Sequence, residues 1–173
     1  RNEQGSVMPS QNAAPDFEEQ KEKVLKEAQI LAQIKHPGVV GVYDFFKENG
    51  TAYHVMEWVS GKTLKKKVKE QPQARLSAEK ARAYMLQVLQ ALDVVHRSNI
   101  LHRDIAPDNV MITEEDKAVI IDFGSARQID DMKEGATMKT LIVKPGYSPE
   151  EFYSQKERQG PWSDTYSVAA MLY

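Results

Sequence analysis

Residues 100–124 read Ile-Leu-His-Arg-Asp-Ile-Ala-Pro-Asp-Asn-Val-Met-Ile-Thr-Glu-Glu-Asp-Lys-Ala-Val-Ile-Ile-Asp-Phe-Gly. Asp104 and Asn109 fall in a proline-containing segment, and residues 110–121 form two short apolar runs separated by a polar turn. Two such runs joined by a tight turn predict a β-hairpin whose outer ends lie together. We therefore expect Asn109 and Asp122, which flank the hairpin, to face the same small volume.

These three side chains form an oxygen-donor cluster. Asn109 follows Asp104 by five residues, and Asp122 lies thirteen residues beyond Asn109. Hard oxygen ligands of this kind suit Mg²⁺, which one or two carboxylates usually hold together with substrate phosphates. A carboxylate that does not bind the metal can orient a hydroxyl group and accept its proton.

The composition is that of an ordinary soluble globular protein. The chain has 173 residues, of which 41% are hydrophobic and 28% charged. Its 23 basic and 25 acidic residues give a net charge of −2, so no electrostatic feature predicts nucleic acid as a partner. The sequence has no cysteine, which excludes disulfides and thiolate zinc sites, and no apolar run approaches the ~20 residues of a membrane span.

Periodicity and turn signals predict the other elements of the chain. An Asn-Gly turn between two β-branched and aromatic runs is a strong hairpin signal, and Ser77 is a suitable helix cap. The predicted elements are a helix at 16–35, a hairpin at 39–46 and 51–59, a lysine-rich helix at 62–70, a helix from Ser77 to His96, a long loop at 125–141 and a helix near 164–173.

Neither end of the sequence has the pattern expected at the end of a domain. The chain begins at Arg1 and stops inside an apolar helical pattern at Tyr173 without a stop signal. We therefore expect it to be a piece of a larger domain.

The ordered motifs resemble those of eukaryotic-type protein kinases, particularly the bacterial Ser/Thr kinases of that superfamily. His102 to Asn109 resembles the catalytic loop, and Asp122-Phe123-Gly124 resembles the magnesium-binding motif. Ser148-Pro149-Glu150 resembles the motif that closes the activation segment, and Ser163 to Ser167 resembles the start of the helix that anchors the catalytic loop.

The resemblance implies an α+β, protein-kinase-like two-lobe fold, truncated at both ends. Residues 1–57 would be a partial small lobe with a loop, the regulatory helix and a two-stranded hairpin. Residues 58–173 would be a partial large lobe with the hinge, the catalytic loop, the activation segment and the start of the anchoring helix.

The resemblance also implies roles for catalytic residues. Asp104 would accept the proton of the substrate hydroxyl, and Asn109 and Asp122 would hold the Mg²⁺ that bridges the ATP phosphates. Glu27, on the first predicted helix, would pair with a strand lysine. The helix alone favours a solvated charge for Glu27, among other glutamates and lysines, and it is the resemblance that favours the ion pair.

The hinge residues that would contact ATP follow from the same resemblance. Met56 would be the gatekeeper, the backbone groups of Glu57 and Val59 would meet the adenine edge, and Met111 would pack beneath the ring. ATP and Mg²⁺ are thus the implied cofactors, and a protein is the implied substrate.

The chain departs from the family pattern in two ways. The glycine-rich loop and the strand lysine are not found in it, which we attribute to truncation, and we expect the fragment alone to be inactive. The second departure is Ala106, where the Ser/Thr members usually carry a lysine. Our hypothesis is that Lys144, in the activation segment, supplies this charge, since stabilising developing charge needs a cation in place whatever its backbone origin.

Arg103 precedes Asp104 and suggests control by phosphorylation. A phosphate on Thr137 or Thr140 could pair with Arg103 and order the activation segment.

The leading interpretation is a cytoplasmic protein Ser/Thr kinase involved in signalling, a transferase that uses ATP and magnesium. The alternative is a pseudokinase, or kinase-like interaction module, that signals without catalysis. A small-molecule phosphotransferase of kinase-like fold is a third possibility, but it would lack the segment Pro145 to Glu150. Upstream sequence would separate the first two, because a strand lysine before Arg1 would favour catalysis.

Overall fold

The computed structural model describes residues 29, 31–129, 143–154 and 157–173. Its helices and strands alternate along the chain, and we number them in chain order. The strands are β1 (Val42–Glu48), β2 (Thr51–Met56), β3 (Gly61–Thr63), β4 (Ile100–Leu101), β5 (Val110–Thr113), β6 (Ala118–Ile120) and β7 (Arg127–Gln128), and the α-helices are α1 (Leu64–Lys69), α2 (Ala78–Arg97) and α3 (Pro161–Leu172). Short 3₁₀ helices span Pro72–Ala74 and Glu150–Tyr153.

The chain divides into two units. One comprises Arg1–Lys35 with Gly41–Trp58, and the other comprises His36–Val40 with Val59–Tyr173. No helix in the described residues is long and apolar enough to cross a membrane.

The described part of the first unit is mainly the β1–β2 hairpin. Its strands pair antiparallel, with Phe45 opposite His54 and Glu48 opposite Thr51. Asn49 and Gly50 have φ angles of 51° and 73°, the left-handed conformation that a tight hairpin turn needs. The predicted hairpin is confirmed, with shorter strands than expected.

The first predicted helix, 16–35, lies almost entirely outside the described residues. Its described end contains Gln29 and Leu31, both helical, and the chain turns after them. The Glu27 prediction falls outside the described residues.

The second unit is built on helix α2. Ser77 caps it, because its Oγ accepts a hydrogen bond from the backbone N–H of Lys80 at 3.3 Å. The inward face of the helix is almost completely shielded from water and carries Val88, Ala91, Leu92 and Val95. The predicted helix from Ser77 to His96 is therefore confirmed within one residue at each end.

Three antiparallel strands, in the order β3-β5-β6, pack on this helix and contain the predicted hairpin. Met111 pairs with Thr63 on one side and with Val119 on the other. The lysine-rich helix begins two residues later than predicted. Gly61–Thr63 pairs with β5 as a strand, and α1 starts only at Leu64. Gly61 has φ of 155°, and a Cβ there would collide with the carbonyl oxygen of Ile112.

Two further short strands were not predicted. Ile100–Leu101 and Arg127–Gln128 pair antiparallel, so the loop predicted at 125–141 is wrong at its first residues. Both strands have only two residues, which is too short for an alternating pattern to reveal. Residues 130–141 of that predicted loop lie outside the described residues.

Candidate active site

The segment between β4 and β5 holds Asp104 and Asn109 in contact. The side-chain amide of Asn109 donates from Nδ2 to the Asp104 carboxylate at 2.7 Å and to the Asp104 carbonyl oxygen at 2.8 Å. The backbone N–H of Asn109 also donates to the carbonyl oxygen of Ala106 at 2.9 Å. The turn therefore fixes one carboxylate oxygen of Asp104.

Lys144 lies at the other carboxylate oxygen. Its Nζ is 3.1 Å from Asp104 Oδ1, and the two side chains are 29% and 17% exposed. The backbone N–H of Lys144 donates to Ser148 Oγ at 2.8 Å, which holds the lysine at the start of a tight turn. Ala106 is completely buried and brings no charge.

Asp122 lies at the end of the hairpin where Asn109 also lies. The neighbouring residue, Ile121, donates its backbone N–H to the carbonyl oxygen of Asn109 at 2.9 Å. Asp122 has φ of 62°, and one of its carboxylate oxygens accepts the N–H of Gly124 at 3.1 Å. The expected meeting of the two ends of the hairpin is present in the backbone.

The donor chemistry of Asn109 and Asp122 fits magnesium. The Asn109 amide uses its nitrogen to hold Asp104, so its oxygen is the atom suited to a metal. Within the described residues, no group of three or more His, Asp or Glu side chains could hold a metal ion. A magnesium ion at these two residues would thus complete its octahedral shell with waters and phosphate oxygens, as is usual for Mg²⁺.

A buried aspartate on α3 forms hydrogen bonds with the backbone just before Asp104. Asp164 is completely shielded from solvent, and its carboxylate accepts the backbone N–H groups of His102 and Arg103, each at 2.9 Å. His96 Nε2 donates to the same carboxylate at 2.8 Å. Arg103 has φ of 69°, an unusual conformation for a bulky residue. The hydrogen bonds from Asp164 therefore stabilise the unusual backbone conformation of Arg103, the residue before Asp104.

The Arg103 side chain is also buried. Its Nε donates to Gln159 Oε1 at 2.9 Å, and its guanidinium lies 6.0 Å from the centre of the Phe152 ring. Burial, followed by repulsion from Arg127, lowers the pKa of Arg103 to about 10.

His102 and Phe123 join the catalytic loop to the segment after β6. Their ring centres are 4.5 Å apart in an edge-to-face arrangement, and both residues are buried. Burial lowers the pKa of His102 below its ordinary value, so the ring is neutral at pH 7. A neutral ring packs on Phe123 without the cost of burying a charge.

The predicted hinge residues are divided between the two units. Met56 ends β2 and is 40% exposed. The N–H of Glu57 donates to the carbonyl oxygen of Gly41 at 2.8 Å, so its remaining backbone group for an adenine edge is the carbonyl oxygen. Val59 follows Trp58 in the second unit, where Met111 occupies the central strand β5.

Several residues of the site were missed by sequence reasoning. Gln159 bonds to Arg103 and His96 bonds to Asp164 across 56 and 68 residues of sequence, and Ser148 bonds to Lys144 across only four. Glu150, the predicted motif glutamate, is exposed. Its neighbour Glu151 accepts a hydrogen bond from Ser163 Oγ at 2.6 Å. No local pattern in the sequence marks such distant pairs.

A family model described as "Protein kinase domain" matches residues 7–173. The chain belongs to the protein kinase domain family. A probable serine/threonine-protein kinase of Clostridium acetobutylicum is 35% identical over 161 residues, which cover 91% of this chain and 24% of that protein. The probable serine/threonine-protein kinase PknB of Bifidobacterium longum is 38% identical and covers 86% of this chain and 22% of its own length. The kinase domain thus spans about a quarter of the length of these curated relatives.

A solved structure supports the same assignment. The chain described as "PpkA-294 apo form" superposes with a TM-score of 0.80 at 34% sequence identity, covering 99% of this chain and 59% of its own. The predicted α+β, protein-kinase-like fold is therefore confirmed, as is the resemblance to bacterial Ser/Thr kinases.

Proposed function

We propose that the protein containing this kinase domain transfers the γ-phosphate of ATP to a serine or threonine hydroxyl of a protein substrate. The observation that carries this proposal is the Asp104 carboxylate, which has Asn109 on one oxygen and Lys144 near the other. A carboxylate fixed in this way can orient a hydroxyl group and accept its proton. The names of the relatives, which are Ser/Thr kinases, support the same substrate class.

Lys144 supplies positive charge beside the base. Its Nζ lies 3.1 Å from Asp104 Oδ1, and a preorganised cation beside the base would stabilise negative charge that develops on a transferring phosphoryl group. Because Ala106 is uncharged and buried, this charge comes from the activation segment. Lys144 therefore takes over the task of the loop lysine that Ser/Thr kinases usually carry.

Asn109 and Asp122 hold magnesium. A magnesium ion held there would supply positive charge that stabilises the phosphates of ATP. Asn109 has a second task, because its amide nitrogen holds Asp104, so one residue couples the position of the base to that of the metal site.

The remaining site residues have proposed roles in ATP binding. Met56, the carbonyl oxygen of Glu57, the N–H of Val59 and the side chain of Met111 contact the adenine. Glu27 pairs with a lysine that precedes it in the protein. ATP as the phosphate donor also supports a cytoplasmic location.

We propose that a phosphate on Thr137 or Thr140 of the activation segment would pair with Arg103 and order the segment. Thr137 and Thr140 lie outside the described residues, but the guanidinium of Arg103 and the nearby Arg127 form a cationic region suited to a phosphate. Phosphopeptide mapping of active enzyme should find one of these threonines modified. A map without either modification would remove this proposal.

A direct assay tests the proposed activity. The full-length protein is incubated with γ-labelled ATP and casein, with and without a magnesium chelator, and phosphoamino acids are then identified. Label on serine or threonine that disappears with the chelator is expected. Asp122→Asn should raise the magnesium concentration needed for transfer, whereas Asp93→Asn, on the exposed surface of α2, should not. Failure to label any protein would favour the interaction-module alternative.

A further inference from the structure

Helix α1 is joined directly to the catalytic loop. The backbone N–H of Lys65 donates to the carbonyl oxygen of Pro107 at 3.0 Å, and Lys65 Nζ lies 2.9 Å from the Asp108 carboxylate. Asp108 is adjacent to Asn109, which holds the base Asp104. The helix therefore borders the place where a protein substrate has to present its hydroxyl group.

The side of α1 that meets the catalytic loop carries two lysines. Lys65 and Lys69, one helical turn apart, line a cavity of about 280 Å³ together with Pro107 and Tyr147. Tyr147 belongs to the turn that begins at Lys144, since its N–H donates to the carbonyl oxygen of Lys144 at 3.0 Å. The two lysines thus line a mainly apolar cavity to which both segments of the Asp104 site also contribute, and we call them the α1 lysine pair.

The segment that contains this pair is rich in lysine, although the whole chain has a net charge of −2. Residues 61–70 contain five lysines and one glutamate. Lys62 pairs with Glu70 and Lys67 with Asp116, each at 2.6 Å. Lys69 has no ion pair with any described residue, and Lys65 has only the half-exposed Asp108. The surface therefore has cationic charge that its own carboxylates do not neutralise.

We infer that the α1 lysine pair binds acidic side chains of the protein substrate close to the phosphorylated residue. This inference rests on the proposed kinase activity and names its substrate class, a serine or threonine flanked by aspartate or glutamate. Aspartate and glutamate side chains of a substrate are attracted to a cationic surface beside the catalytic loop, whereas its lysine side chains are repelled.

The test compares peptides that differ only in charge. The full-length kinase is given a threonine peptide flanked by alanines, and versions with glutamates or lysines on the N-terminal or C-terminal side. An exposed ion pair contributes about two- to fivefold, so two lysines should raise kcat/KM for one glutamate peptide roughly tenfold over the alanine peptide. The advantage should shrink in molar salt, where the screening length falls to about 3 Å.

Substitutions assign the effect to the lysine pair. In Lys65→Ala/Lys69→Ala the ratio of kcat/KM between glutamate and alanine peptides should fall close to one. The matched control Lys66→Ala, on the same helix but not lining the cavity, should keep most of that ratio. Lys69→Glu should shift the preference toward the lysine peptide, a gain that a misfolded variant cannot produce.

The outcomes separate this inference from the proposed function. If the wild-type kinase phosphorylates all peptides equally well, the acidic preference is wrong and the kinase activity stands. If it phosphorylates no peptide and no protein, the proposed function itself is wrong. A preference for glutamate that survives in the Lys65→Ala/Lys69→Ala variant would also overturn the assignment.

Discussion

Replacement of Lys144 by alanine tests the origin of the positive charge beside the base. The ion pair spans 3.1 Å between Lys144 Nζ and Asp104 Oδ1. At an effective dielectric constant of about 20, two unit charges at this distance attract by roughly 5 kcal/mol. Solvent screens part of this, since the lysine is 29% exposed. Only the stabilisation that a transferring phosphoryl group gains from this charge affects the rate, and a preorganised charge of this kind contributes about 3–4 kcal/mol, so kcat should fall about 10²–10³.

The assay is steady-state phosphorylation of a protein substrate by the full-length kinase, with kcat and KM measured separately. Lys144→Ala should act mainly on kcat, because the charge matters most as the phosphoryl group moves. Adding Ala106→Lys should restore part of the loss. The restoration is only partial because Ala106 is fully buried and a longer side chain has to displace its neighbours.

The matched control is Lys117→Ala, an exposed lysine at the far end of the β5–β6 hairpin. It removes the same charge away from Asp104 and should leave kcat within about twofold. A Lys144→Ala enzyme that turns over within a few-fold of wild type would refute the role assigned to Lys144.

Three predictions concern stability, measured by thermal or urea unfolding. Asp164→Ala leaves buried N–H groups without their acceptor and should cost about 4 kcal/mol, lowering Tm by roughly 8–16 °C; a drop of only a few degrees would contradict the supporting role of Asp164. Gly61→Ala should cost at least about 2 kcal/mol, because a Cβ meets the carbonyl oxygen of Ile112 and φ is 155°, whereas Ser60→Ala should be nearly neutral. His102 has its pKa lowered by burial, so the unfolded chain takes up the proton first and wild type should lose stability as pH falls below the ordinary value of 6.5. His102→Phe should weaken this dependence between pH 7 and 5, and equal slopes for the two proteins would disprove the explanation.

Local patterns predicted the parts of the fold that depend on local interactions. The Asn-Gly turn between β1 and β2, the capped helix α2 and the β5–β6 hairpin each have their signal within a few residues. The kinase motifs are also local, so their order along the chain predicted the order of the catalytic loop, the magnesium-binding motif and the activation segment. Such elements follow from side-chain period and turn chemistry, which a single sequence contains.

The contacts that shape the site are long-range and were largely missed. Asp164 bonds to backbone groups about sixty residues earlier, and Arg103 bonds to Gln159 at a similar separation. Lys62 and Thr63 of strand β3 were wrongly predicted to be helical, because this strand forms through its pairing with β5 and has no local pattern of its own. The hypothesis about Lys144 requires its side chain to lie close to Asp104. In the structure Lys144 Nζ is 3.1 Å from Asp104 Oδ1, and the catalytic role of the lysine stays a prediction.

Phosphoryl transfer by Asp104→Asn in the full-length protein tests the central claim most directly. The substitution keeps the size of the side chain but removes the proton acceptor, so ATP affinity should hold while the rate of transfer falls by about 10²–10⁴. ATP binding and transfer to casein are measured on the same preparation, next to wild type. A variant that binds ATP and still phosphorylates at nearly the wild-type rate would contradict the assignment of Asp104 as the base.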